Sequence, residues 1–153
     1  KKKKKSTPVS FQVEIIPELT IATVSGSATT TEGSVYVLNL DVTGPESDTI
    51  TEWTIDWGDG TVETVSGTAS FVFHIFGNGP VDRQISAVAT NGTSNFGSNT
   101  LSVSIENSDP QLTFFEIDSI VSEGESVTLR GQFQDRGAGE HPRVTVDWGE
   151  GTV

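Results

Sequence analysis

Apolar and polar residues alternate in short runs along most of the chain, and turn-forming residues separate the runs. Alternation with a period of two places successive side chains on opposite faces of a β-strand. The runs predict strands at about residues 9–16, 19–24, 35–42, 50–57, 61–66, 69–76, 82–90 and 99–106. No segment carries apolar residues at helical spacing over three turns. Short strands with frequent turns predict an all-β fold, an immunoglobulin-like antiparallel β-sandwich.

The side chains on one face of each predicted strand form the expected core. The phase of the alternation selects Val35, Val37, Trp53, Ile55, Trp57, Phe71, Phe73, Ile75, Ile85, Ala87 and Ala89, with Leu38 and Leu40 as further candidates. Two tryptophans and several phenylalanines supply enough apolar volume for the interior of a small sandwich.

The sequence contains an internal repeat. Residues 55–62 read IDWGDGTV, and a near copy, VDWGEGTV, occupies residues 146–153. The two motifs lie 91 positions apart, and so do the Glu-Gly pairs that begin at Glu32 and Glu123. A period of this length suits a whole small β domain and is too long for a solenoid unit. The chain is therefore predicted to be a segment of a domain array.

The repeat also predicts the domain boundaries. Residues 6–17 would be the last strand of a preceding repeat, 18–108 a complete sandwich, and 109–153 the first half of the next repeat. Half a sandwich exposes its inner face and an unpaired edge. Further strands of the same chain would complete it most simply. Alternatively, strand 9–16 of one molecule could join the incomplete sheet of another and build a head-to-tail filament, although one strand cannot replace all of the missing ones.

The motif at residues 55–60, Ile-Asp-Trp-Gly-Asp-Gly, resembles the W-D-F-G-D-G pattern of the PKD (polycystic kidney disease) domain family. The family's S-H-T-Y element, glycine turn and alternating strand are matched in order by residues 73–76, 77–79 and 81–90. Ile55 and Phe76 replace the usual Trp and Tyr, and Glu150 replaces the usual Asp in the second motif. The resemblance implies an immunoglobulin-like sandwich that serves as a spacer, adhesion module or binding appendage of extracellular proteins.

Charge is distributed unevenly. All five lysines stand at residues 1–5, which favours a tag or placeholder, with a native basic anchor as the alternative. In the remaining chain four arginines oppose 21 acidic residues, a net charge of −17. Such a body repels nucleic acid and anionic lipid and attracts divalent cations. There is no cysteine and no apolar run of membrane-spanning length. We expect an extracellular or cell-surface location in a bacterium or archaeon.

Acidic residues suggest calcium at two kinds of place. Asp56, Asp59 and Glu63 cluster around one predicted hairpin, and their oxygens are of the type that Ca²⁺ prefers. The alternative is that Asp56 and Asp59 only fix the turn through hydrogen bonds to the backbone. The acidic junctions between repeats, at residues 14–18 and 106–109, are separate candidates because a cation there would stiffen the array.

The expected function is structural. The sequence has two histidines, no cysteine and no nucleophile turn, so we expect a protein without catalytic activity. No cofactor is predicted with certainty. The resemblance implies a structural role for His74. We expect a rigid spacer in an adhesin, surface filament or stalk, whose partners are neighbouring repeats. The alternatives are a strand-sharing filament, or a module that binds a polysaccharide or surface protein through Phe96 in the 91–99 loop.

Overall fold

Two β-sheets face each other in the first repeat. The computed structural model describes residues 18–118 and 120–149, so the strand predicted at 9–16, the lysine run and Glu150 lie outside the described residues. The strands are β1 (Ile21–Ser25), β2 (Thr29–Thr31), β3 (Val35–Thr43), β4 (Glu52–Asp56), β5 (Val62–Ser66), β6 (Phe71–Ile75), β7 (Val81–Thr90), β8 (Asn95–Gly97) and β9 (Leu101–Glu106). One sheet has the order β1-β3-β6 and the other β2-β9-β7-β4-β5, with β8 paired to β7. This arrangement confirms the predicted all-β sandwich.

Seven of these strands lie where the alternation predicted them, within a few residues. The two that it missed, β2 and β8, have three residues each. A strand of that length is too short to show a period of two. β2 also pairs in parallel with β9, whereas the other pairs in the sandwich are antiparallel.

The core lies between the two sheets and contains Trp53, Ile55, Trp57, Ile85, Ala87 and Ala89, as predicted. The further candidates Leu38 and Leu40 are also buried. The remaining buried apolar residues are Ala22, Val24, Tyr36, Ile50, Val72, Phe76, Val103 and Ile105. A cluster with members from both sheets is the interior expected of a sandwich.

The core prediction was wrong for two strands, β3 and β6. Val35, Val37, Phe71, Phe73 and Ile75 are 60%, 41%, 52%, 58% and 55% exposed, respectively. A shift of one residue moves a whole set of side chains to the other face of a strand. Both faces of β3 and β6 carry apolar residues, so alternation alone could not select the buried set. The exposed five lie on two paired strands and form an outer apolar face.

The second repeat begins with two paired strands, β10 (Gln111–Ile117) and β11 (Leu129–Gln134). Val24 pairs with Leu40 in the first repeat, and the residues 91 positions later, Phe115 and Gly131, pair in the same way. A groove of about 510 Å³ follows these strands and is lined by Leu112, Phe115, Ile117, Leu129, Phe133 and Trp148, among others. Among the described residues, no helix has the length and apolar character needed to cross a membrane.

Candidate metal centre

The three acidic residues of the predicted hairpin site each have a protein partner. Asp56 Oδ1 accepts the N–H of Gly58 at 2.9 Å, and Asp59 Oδ1 accepts that of Thr61 at 2.9 Å. Glu63 Oε2 accepts a hydrogen bond from the indole Nε1 of Trp57 at 3.2 Å. Within the described residues, these carboxylates are not gathered into a three-acid group. Calcium binding at this hairpin stays a prediction. The hydrogen bonds of Asp56 and Asp59 are those expected of side chains that stabilise the turn.

Asp59 also holds the histidine of the neighbouring sheet. Its Oδ2 lies 2.7 Å from Nε2 of His74, whose ring stacks on Trp57 with 4.4 Å between centroids. Partial burial raises the pKa of Asp59, but the hydrogen bonds from His74 and Thr61 and the charge of His74 outweigh it. The folded-state pKa of Asp59 therefore lies below its ordinary value. The pair joins the hairpin after β4 to β6.

Asp59→Asn is expected to lower the free energy of unfolding by about 1–2 kcal/mol near neutral pH, because a charge-assisted hydrogen bond is lost. An aspartate whose folded pKa is depressed stabilises the fold above its ordinary pKa of 3.8. That contribution disappears as pH falls through the lower folded-state value. Urea denaturation at neutral and acidic pH should therefore show the difference shrinking in acid. Asp82→Asn, an exposed position on β7, is the control; equal effects of both variants would contradict the assignment.

A different acidic group lies where the two repeats meet. Glu32 is fully buried, and its Oε2 accepts the N–H of Gly79 at 2.6 Å while its Oε1 accepts that of Ser108 at 2.9 Å. The carboxylate thus ties together the turn before β3, the turn before β7 and the connection to the second repeat. Sequence reasoning missed this role, although the repeated Glu-Gly pair was a visible signal.

A loop of the second repeat, residues 135–140, docks onto this end of the first repeat. The backbone N–H of Ala138 donates to the carbonyl oxygen of Gly77 at 2.7 Å. Gly137 lies directly against the buried acid, since a Cβ built on it would be 2.8 Å from Glu32 Oε1 and 2.9 Å from Cδ of Glu140. Its φ is not in the left-handed region, so space and not backbone conformation favours glycine here.

The docked loop brings two more carboxylates to Glu32. One oxygen from each of Glu32, Asp135 and Glu140 lies within 4.8 Å of the others. Asp135 Oδ1 accepts the N–H of Gly137 at 3.2 Å, while Oδ2 exposes less than 1 Å² and has no hydrogen-bond partner among the described residues. The hydrogen-bonding contact with Asp135, then desolvation and the nearby negative charges, raise the pKa of Glu140. These three residues are called the junction acids below.

The amide of Asn107 lies between two of the junction acids. In one orientation its Nδ2 donates to Glu32 Oε1 at 3.1 Å and to Glu140 Oε1 at 2.6 Å. In the other, Nδ2 donates to the carbonyl oxygen of Ser108 at 3.4 Å, and the amide oxygen faces the carboxylates. The first orientation satisfies both atoms of the amide, whereas the second leaves its oxygen facing only acceptors, so the first is the favoured orientation without a cation.

The sequence placed a candidate site at this junction but on other acidic residues. Glu106 and Asp109 are exposed and are not among the junction acids, and Glu18 is exposed as well. Glu14 lies outside the described residues. No family model matches the chain, and a search of curated proteins finds no match. The functional conclusions below therefore rest on residues and geometry.

Proposed function

We propose that this chain is a non-catalytic structural module of a tandem-repeat protein of the extracellular or cell-surface type, similar to PKD repeats. Its role is to hold neighbouring repeats in a fixed orientation, as a rigid spacer in an adhesin, filament or stalk. The observation that carries the proposal is the docking of loop 135–140 onto the first repeat through the Ala138–Gly77 hydrogen bond and the junction acids.

Two features support a fixed joint. Glu32 binds the backbone at Ser108, so the connection leaves the first repeat at a defined point. The docked loop then contacts the same end of the sandwich from the second repeat. Contacts on both sides of the connection restrain bending and rotation together, whereas a flexible linker would permit both.

The rigidity of the joint can be measured by the distance between two spin labels. The chain has no cysteine, so Thr64→Cys in β5 and Gln132→Cys in β11 give one label in each repeat. Both positions are exposed. Pulsed electron paramagnetic resonance on the full chain is expected to give one narrow distance distribution. A broad distribution, of the width expected for a flexible linker of this length, would contradict the spacer proposal.

A second candidate function is a filament formed by strand sharing between molecules. The apolar groove along β10 and β11 favours it, because Phe115, Leu129 and Trp148 are the counterparts of the buried Val24, Leu38 and Trp57. Strands of the same chain or of another molecule could cover these side chains. The labelled chain distinguishes the two functions, since strand sharing would make the distance distribution depend on protein concentration.

The structure does not favour the proposed sugar platform at Phe96. This residue is part of β8 and is half-buried against the core. The exposed aromatic side chains of the first repeat are instead Phe71 and Phe73, whose ring centroids are 5.4 Å apart on the outer apolar face.

A further inference from the structure

We propose that the junction acids, Glu32, Asp135 and Glu140, bind one Ca²⁺ ion between the two repeats, with the amide oxygen of Asn107 as a fourth protein ligand. The site itself is independent of the proposed function. Its consequence, a joint that a cation locks, rests on the spacer role. The ligands come from both repeats, so an ion held by them would bridge the repeats directly.

The spacing of the oxygens fits a calcium ion. Ca²⁺ binds oxygens at about 2.3–2.6 Å, so two ligands on opposite sides of the ion are separated by about 4.6–5.2 Å. The three carboxylate oxygens lie within 4.8 Å of one another and can therefore occupy one coordination sphere. Water molecules would complete the six to eight ligands that Ca²⁺ takes.

The surroundings of the acids point to a missing positive charge. Asp135 Oδ2 is buried and, while Glu140 is ionised, has no hydrogen-bond partner among the described residues; such an oxygen is costly to leave unpaired. Within the described residues, no arginine or histidine forms an ion pair with a junction acid within 4.0 Å. His141 and Arg143 line a cavity beside Asp135 and Glu140 without such a contact. Glu32 is buried and has backbone partners on both oxygens, but each oxygen keeps a free lone pair for a metal. A divalent cation would satisfy Oδ2 and offset the repulsion.

Asn107 gives the site two states. Without a cation, its NH₂ group donates to Glu32 and Glu140 and partly offsets their charges. With a cation, the amide turns its oxygen toward the carboxylates and its NH₂ toward the carbonyl of Ser108. Rotation of one side chain therefore converts the pocket between a hydrogen-bonded and a metal-binding arrangement.

The same site is not repeated in the first repeat. The positions 91 residues before Asp135 and Glu140 are Gly44 and Thr49, and Ile16 stands in the place of Asn107. The spacing of 91 holds from the Glu-Gly pair to the second motif, so the loop positions can be compared without a gap. The two loop ligands therefore belong to the loop of the second repeat and have no acidic counterparts at the equivalent positions of the first.

Isothermal titration of the full chain with CaCl₂ tests the proposal directly. At about 0.15 M salt, which screens diffuse binding to the acidic surface, we expect one Ca²⁺ per chain. The expected Kd is about 0.1–1 mM, as in other extracellular calcium modules. Glu140→Gln keeps the size of the side chain and is expected to weaken binding at least about tenfold. Gly137→Ala keeps every charge but places a methyl group against the carboxylates, and should weaken binding as well.

The matched control is Asp41→Asn, which removes one negative charge from an exposed position on β3. It should bind Ca²⁺ as the unmodified chain does. Absence of saturable binding, or equal loss in Asp41→Asn and Glu140→Gln, would overturn the proposal, because the second result describes a diffuse ion atmosphere. Binding of Mg²⁺ more tightly than Ca²⁺ would overturn the choice of metal, since the smaller ion demands near-octahedral geometry.

Two further measurements distinguish the calcium site from the spacer function. In nuclear magnetic resonance spectra, the side-chain NH₂ signals of Asn107 should shift on calcium addition, and unchanged signals during saturable binding would exclude this amide as a ligand. The distribution of label distances between the repeats, already narrow without the ion, should narrow further with Ca²⁺. Binding at the junction acids with an unchanged, broad distribution would retain the site and reject the spacer. A narrow distance distribution without Ca²⁺ binding would retain the spacer and reject the site.

Discussion

Replacing Trp57 by alanine is expected to lower the free energy of unfolding by about 3–5 kcal/mol, the usual cost of deleting a buried large aromatic side chain. Trp57 directly follows β4 and is fully buried. It stacks on His74 and meets the rings of Tyr36 and Phe76 edge-on, with centroids 6.5 and 6.3 Å away. The substitution removes these contacts, leaves a cavity between the sheets and frees the oxygen of Glu63 that accepts the indole N–H.

The chain contains its own control for this experiment. Trp148 occupies the equivalent position 91 residues later but is 52% exposed, so Trp148→Ala should cost less than about 1 kcal/mol. Urea denaturation followed by circular dichroism compares the two, because fluorescence would itself change when a tryptophan is removed. Similar losses of unfolding free energy in both variants would contradict the burial of Trp57 in the core.

Glu32→Ala is expected to be nearly as damaging, at about 3–5 kcal/mol. The substitution leaves the backbone N–H groups of Gly79 and Ser108 without their acceptor, and hydrogen bonds to a charged group contribute about 1.5–3 kcal/mol each. A domain of this size is stable by about 5–15 kcal/mol, so the loss brings the fold close to its limit. Thermal and urea denaturation would report it.

Glu123→Ala separates this structural role from a general effect of charge. Glu123 is the counterpart of Glu32 and is exposed in the second repeat. Its removal takes away the same charge without orphaning a buried donor, and should change stability by less than about 0.5 kcal/mol. A cost below about 1 kcal/mol for Glu32→Ala would mean that water or other groups replace the carboxylate easily.

The sequence alone predicted the buried face of a strand correctly where the other face was clearly polar. In β4 and the residue that follows it, Thr54 and Asp56 separate Trp53, Ile55 and Trp57. Only one face of this segment is apolar, and that face is buried. In β6, both Phe73 and Phe76 were plausible core residues, and local pattern cannot weigh one face against the other. The packing of β3 and β6 against the opposite sheet determines which of their side chains are buried, and such packing is a tertiary effect.

The junction acids were harder to anticipate. Glu32 and Asp135 are 103 positions apart, and no periodic pattern links a turn of one repeat with a loop of the next. The sequence did indicate that an acidic junction could hold a cation. It could not show which loop docks there, because docking depends on the orientation of two repeats and not on the strands within either one.

The outer apolar face of β3 and β6 has a consequence for how these molecules approach each other in salt. It contains five large apolar side chains, with Asp41 as the charged residue on the same side of β3, on a body whose net charge without the lysine run is −17. Repulsion between molecules reaches about 10 Å at 0.1 M salt but only about 3 Å at 1 M salt. In dilute media the acidic surface keeps these faces apart. In concentrated brine the repulsion becomes short-ranged, and side-by-side bundling through the phenylalanine pair becomes favourable. The salinity of the medium would then set the lateral spacing of such molecules at a surface.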